Sequence, residues 1–161
     1  MPTELAKHGP TGEGLTQGIE EIIASIFENM LDLPASHRAV VSGWICQETV
    51  RSLVTFTGSW HGMVSMECTR TQARHFAQRF LSLPACQIDD QVAWDVLGEL
   101  TNMIAGNLKP LLASDIQLSI STVPWKEGEP ALDFLPEIRR ELIFSCAEGD
   151  FVTRLLAAPS H

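Results

Sequence analysis

The chain has 161 residues, a length that favours one domain and lets a core form without disulfide staples. Apolar residues make up 45% and charged residues 19%, which excludes a disordered tail, a collagen-like chain and a low-complexity linker. Eleven Lys+Arg against twenty Asp+Glu leave a formal charge of −9, so the chain repels phosphate backbones and anionic lipid surfaces, and neither nucleic acid nor membrane is an expected partner.

Residues 1–14 carry two prolines and three glycines with no apolar period. They are expected to form a flexible leader ahead of a single domain over residues 15–161. From Leu15 the pattern turns helical: Ile19, Ile22, Ile23, Ile26, Phe27, Met30 and Leu31 fall on one side, Glu20, Glu21, Ser25 and Glu28 on the other. Pro34 stops this helix. Three strands are expected next, over Arg38–Gln47, Ser52–Gly58 and Trp60–Cys68, with a tight turn at Gly58-Ser59. In the third, Trp60, Val64, Met66 and Cys68 share one face, and His61, Ser65 and Glu67 the other. Thr71–Leu83 reads as a shorter helix ending before Pro84, and Asp89-Asp90 open a long helix to about Leu112. Ile116–Val123 alternates as a strand, Pro124–Pro136 is rich in glycine and proline, and Arg139–Ala147 with Phe151–Ala157 reads as a closing hairpin around Glu148-Gly149-Asp150. A long helix followed by three strands thus occurs twice, with the short helix between. The expected class is α+β: a mostly antiparallel sheet packed with two long helices and one shorter one.

The second long helix is the informative one. Ala93, Val96, Leu97, Leu100, Ile104 and Leu108 point together into a core. Asp95, Glu99, Asn102 and Gly106, at i, i+4, i+7 and i+11, form a stripe on the opposite side, bordered by Gly98 and Ala105. Gly98 and Gly106 each cost about 1 kcal/mol relative to Ala inside a helix, and Asn102 is a poor mid-helix residue because its amide competes for backbone bonds. Their shared property is low relief: an acid and an amide stand where another protein can come close. The residues alone are compatible with a solvated polar face or with a docking helix.

The string Asp95-x3-Glu99-x2-Asn102, continuing Met103-Ile104-Ala105-Gly106-Asn107, resembles the signature helix of the CheC/CheX/FliY family of bacterial phosphatases that act on the phosphorylated response regulator CheY. The family's downstream proline is matched by Pro124, with one fewer intervening residue. The first helix, Gly18 to Leu31, is similar to the opening helix of CheX, and the element order matches along nearly the whole chain. On the first helix the equivalent stripe is Gln17-x3-Glu21-x2-Ala24. Ala24 supplies a methyl group where two-site CheC proteins carry an amide, so the chain looks like CheX, with one active helix.

The resemblance implies a phosphatase for the aspartyl phosphate of a CheY-like regulator, in chemotaxis or a related two-component pathway. It implies a homodimer joined through its sheets and no cofactor of its own, the Mg²⁺ belonging to the regulator. Asn102 is the expected catalytic group orienting water, and Glu99 the expected partner of the regulator's lysine. Asp95, Gly98 and Gly106 are expected at the docking surface. The alternative is an adaptor of the same fold that binds a regulator or a flagellar-motor protein without hydrolysing anything.

The remaining chemistry is sparse. Cys46, Cys68, Cys86 and Cys146 form no CxxC, which argues against structural zinc or a dithiol redox pair. Cys46, Cys68 and Cys146 are expected in the core of a cytoplasmic protein with reduced thiols. His61 and His75 have no partner at metal-ligand spacing. Trp44, Trp60, Trp94 and Trp125 are expected in the core or at subunit contacts, and no GxSxG, Walker A or GxGxxG motif occurs.

Overall fold

The computed structural model describes residues 13–38, 49–58, 61–112, 117–121 and 137–157. Among these, three α-helices and six strands alternate in the order α1 (Glu13–Leu31), β1 (Ser36–Arg38), β2 (Thr49–Thr57), β3 (Gly62–Thr69), α2 (Arg70–Leu81), α3 (Asp90–Leu112), β4 (Gln117–Ser121), β5 (Glu137–Cys146) and β6 (Gly149–Ala157). A short 3-10 turn, Ala85–Gln87, joins α2 to α3. The strands form one antiparallel sheet in the order β1-β5-β6-β3-β2-β4.

All three helices pack on one face of the sheet. The core between them takes alternate residues of the central strands: Val50, Val54 and Phe56 from β2, Val64, Met66 and Cys68 from β3, Leu142 and Phe144 from β5, Phe151 and Leu155 from β6. An aromatic cluster locks the layers. Phe27 of α1 stacks on Phe151 with ring centroids 4.6 Å apart, and Phe76 of α2 meets Phe27 edge-on at 5.3 Å.

The opposite face of the sheet departs from a simple polar exterior. Ser65 and Glu67 of β3, on the face opposite Val64 and Met66 as their alternation requires, are buried there with Met63, and Leu53, Met63 and Leu156 make a small second cluster. Glu67 accepts hydrogen bonds from Arg51 at 3.1 Å and Arg154 at 2.6 Å, and Arg154 also donates to Glu141 at 2.6 Å. Burial opposes the charge on Arg154, but the bonds to Glu141 and Glu67 outweigh it and hold its pKa above the ordinary guanidinium value.

Several boundaries move. The helix α1 starts at Glu13, inside the expected leader, whose residues 1–12 lie outside the described residues. The first expected strand falls largely on residues 39–48, also outside them, and a short strand precedes it at Ser36–Arg38. The Pro124–Pro136 stretch, Cys46, Trp44, Trp60 and Trp125 are outside as well. The described β2–β3 pairing runs to Phe56↔Gly62, and the expected turn at Gly58-Ser59 lies partly outside the described residues. The β5–β6 pairing closes at Cys146↔Gly149, and Gly149 takes φ +110°, a conformation only glycine adopts without strain.

Candidate functional site

The helix α3 is held at its N-terminal end by its own acids. The Asp89 carboxylate accepts from the Val92 backbone N–H at 2.9 Å, satisfying one of the donors a helix start leaves open. Asp90 takes two bonds from the Arg74 guanidinium of α2, at 3.0 and 2.5 Å. Below these anchors, Ala93, Val96, Leu97, Leu100, Ile104 and Leu108 are all buried, as their spacing requires. Trp94 packs partly buried against the same core.

Asp95 and Glu99 are exposed and Asn102 is half-buried. Gln91 donates to Asp95 at 2.9 Å. Glu99 and Asn102 carry no side-chain hydrogen bond among the described residues, so an acid and an amide three positions apart are left with open valences. Gly106 is exposed, and a Cβ built on it would meet nothing within 4 Å. Nothing in the folded chain therefore requires glycine there.

Gly98 is a correction. It was expected beside the stripe on an open docking surface, with Ala105, but both are buried. Their side of α3 is covered because the helix packs against α1, α2 and the sheet at once. Gly98 is thus a packing residue, and of the three residues expected at a docking surface only Asp95 and Gly106 are exposed.

The sequence reading missed a groove beside the stripe. Helices α1 and α3 run antiparallel and leave a cavity of about 490 Å³ between them, walled by Ile22, Ser25 and Met30 on α1 and by Met103, Asn107 and Leu111 on α3. At one end the helices close in: a Cβ on Gly18 would sit 2.7 Å from the Leu111 Cδ1. Pro110, in the last turn of α3, has no N–H to give the Gly106 carbonyl. Met30 had been placed on the apolar face of its helix, yet it is 39% exposed on this groove. The sequence signal that could have found it is a proline four residues after a glycine near the end of α3.

Outside this region several titratable groups are paired within the fold. His75 pairs with Glu148, which also accepts from Arg79 at 3.2 Å, and His37 meets Glu20. His61 is exposed just before β3. Cys68 is buried and Cys86 exposed, while Cys146, expected in the core, is only half-buried and donates to the Gly149 carbonyl at 3.2 Å. Burial pushes the Cys146 thiol above its ordinary pKa, partly opposed by a backbone hydrogen bond at Glu148.

Set against known proteins, residues 50–130 match the family model described as chemotaxis phosphatase CheX, a span of half the chain that takes in all of α3 with its stripe. The chain belongs to the CheX family. No curated protein sequence matches it significantly. Among solved structures, the chemotaxis protein CheX from Vibrio vulnificus superposes with a TM-score of 0.68 at 18% identity, over 89% of this chain and 96% of that one. The CheX of the CheX–CheY–BeF3–Mg²⁺ complex from Borrelia burgdorferi gives a TM-score of 0.59 at 16% identity, covering 89% and 96%. The FliM–SpeE complex from H. pylori gives 0.62 at only 7% identity, covering 90% of this chain and 84% of that one. At such identities the structural likeness establishes the fold, and the CheX assignment rests on the family model. No helix among the described residues is long and apolar enough to cross a membrane.

Proposed function

We propose that this CheX-family protein hydrolyses the aspartyl phosphate of a CheY-like response regulator, with Asn102 orienting the attacking water and Glu99 binding the regulator's lysine. The observation that carries the reading is the pair itself: Glu99 and Asn102 stand on the open side of α3, unpaired among the described residues, with Gly106 offering no obstruction one turn further on.

Phosphoryl transfer asks little covalent chemistry of a protein; positioning and charge stabilisation dominate. The regulator brings its own Mg²⁺ and lysine to the phosphoryl group, and the missing part is a water held in line with the phosphorus. An amide suits this task, since it donates and accepts and does not titrate. Water attacks the phosphorus, the bond to the aspartyl oxygen breaks, and inorganic phosphate leaves while the aspartate carboxylate is regenerated. Holding the water removes part of the entropy the transition state would otherwise lose. Glu99 lies about 5–6 Å from Asn102 between Cβ atoms, as i and i+3 residues do, so one docked regulator can meet both. The helix α1 offers Gln17, Glu21 and Ala24 in place of such a pair, and the reading is of one active helix.

The test is the rate of acyl-phosphate loss from a phosphorylated regulator with and without the protein. Asn102→Ala should lower the accelerated rate on the order of 10²-fold or more, as removal of one well-placed hydrogen-bonding group does, while the fold and docking persist. An unaccelerated rate with intact binding would favour the adaptor reading, for which the FliM likeness in fold is the supporting observation.

A further inference from the structure

We infer that the groove between α1 and α3 is the second half of the regulator's docking footprint, seating an apolar side chain of the regulator that is flanked by lysine or arginine. This rests on the phosphatase reading for the identity of the partner.

Size is the first argument. A transient interface buries about 600 Å² on each side, a patch of roughly 14 Å radius, and packed helices lie about 8–10 Å apart. A regulator centred over Asn102 therefore cannot avoid the groove, whose wall begins at Met103, the next residue.

Chemistry is the second. Only three large apolar side chains stand exposed among the described residues, Met30 at 39%, Leu81 at 40% and Leu111 at 42%, and two of the three line this groove. Met30 and Met103 both line this gap, and methionine adapts to whatever shape fills it.

Charge is the third. Glu21 lies in the groove wall, Glu28 is exposed on α1, and Glu99 stands beside Met103 on α3. Lys109 is the one cation on either helix. An acidic rim around an apolar slot selects a basic, apolar surface and repels an acidic one. The lysine that Glu99 is proposed to meet belongs to that same basic surface.

The experiment separates the groove from the catalytic pair. Binding of a beryllofluoride-loaded regulator and steady-state turnover are measured for the wild type, Met30→Glu, Ser25→Arg and Asn102→Ala, with thermal midpoints confirming that each is folded. Both groove substitutions lie at exposed positions. Each should raise Kd and KM about tenfold and leave kcat within twofold, whereas Asn102→Ala should lower kcat and leave Kd unchanged. A Ser25→Cys protein carrying a benzophenone should crosslink to the regulator. Turnover with KM unmoved by either groove substitution overturns the groove and leaves the phosphatase reading standing. Groove-sensitive binding without turnover supports the groove and overturns the catalysis. Crosslinks to the chain's own residues 1–12, or between two copies, overturn the proposed occupant.

Discussion

Glu99 and Asn102 share a stripe but have separate tasks. Glu99→Gln keeps the shape and removes the charge. Because an exposed helical acid contributes little to folding, thermal stability should change by less than about 0.5 kcal/mol while regulator affinity falls, since the lysine contact is desolvated on docking. Equal affinity and turnover for the two proteins would remove the role. Gly106→Ala makes a sharper separation. Open space surrounds its Cβ position, so alanine should stabilise the helix by about 0.5–1 kcal/mol, read as a shift in the denaturant midpoint. Turnover should nonetheless fall if the regulator needs the clearance. The stripe was legible in the sequence because helical spacing alone sets which residues share a side. The burial of Gly98 and Ala105 was not, because periodicity reports the direction of a side chain and is blind to how many neighbours its helix has. Met30 was misplaced for the converse reason: its direction was right, and no neighbour fills the space it points to.

The elements themselves were mostly legible. The helix α3 was expected from Asp89 to Leu112 and runs Asp90–Leu112; α2 was expected at Thr71–Leu83 and runs Arg70–Leu81. Both have a one-sided apolar period and clear end signals. In α2 these are a Thr69–Gln72 capping box at the start and Ser82 in the left-handed conformation at the end. Strand β3 was harder. Its alternation was read correctly, but its polar face is buried too, because Glu67 is neutralised by arginines from β2 and β6 that lie far off in sequence. The junction of α1, α2 and the hairpin β5–β6 is an aromatic cluster of Phe27, Phe76, Phe144 and Phe151. Phe27 touches both Phe76 and Phe151 in the centre of the helix layer. Phe27→Ala should cost about 3–5 kcal/mol through lost burial and the cavity left behind. Urea unfolding monitored by circular dichroism reads this directly. A cost below about 1 kcal/mol would mean the cluster repacks.

On the scale of the whole molecule, the helix layer carries the proposed docking side, and the far side of the sheet is held by Glu67 and its arginines. Glu67→Ala leaves Arg154 buried with one carboxylate fewer, and should destabilise by about 3 kcal/mol, measured as the same urea midpoint. Unchanged stability would show that Glu141 alone suffices for Arg154.

The strand order has a consequence for how the chain reaches this state. Exchanging β1 with β4, β2 with β5 and β3 with β6 turns the order β1-β5-β6-β3-β2-β4 into its own reverse. Only β2–β3 and β5–β6 are local hairpins; β1–β5, β3–β6 and β2–β4 each tie the first half of the chain to the second. Ser36 finds Ser145 only after about a hundred residues of chain have closed into a loop, which costs entropy before any contact repays it. Refolding should therefore be slow for a domain of this size, in milliseconds to seconds rather than microseconds, and neither half can act as a folding unit. Tryptophan fluorescence and far-ultraviolet circular dichroism should report one coincident urea transition; two separated transitions would mean that the halves stand alone after all.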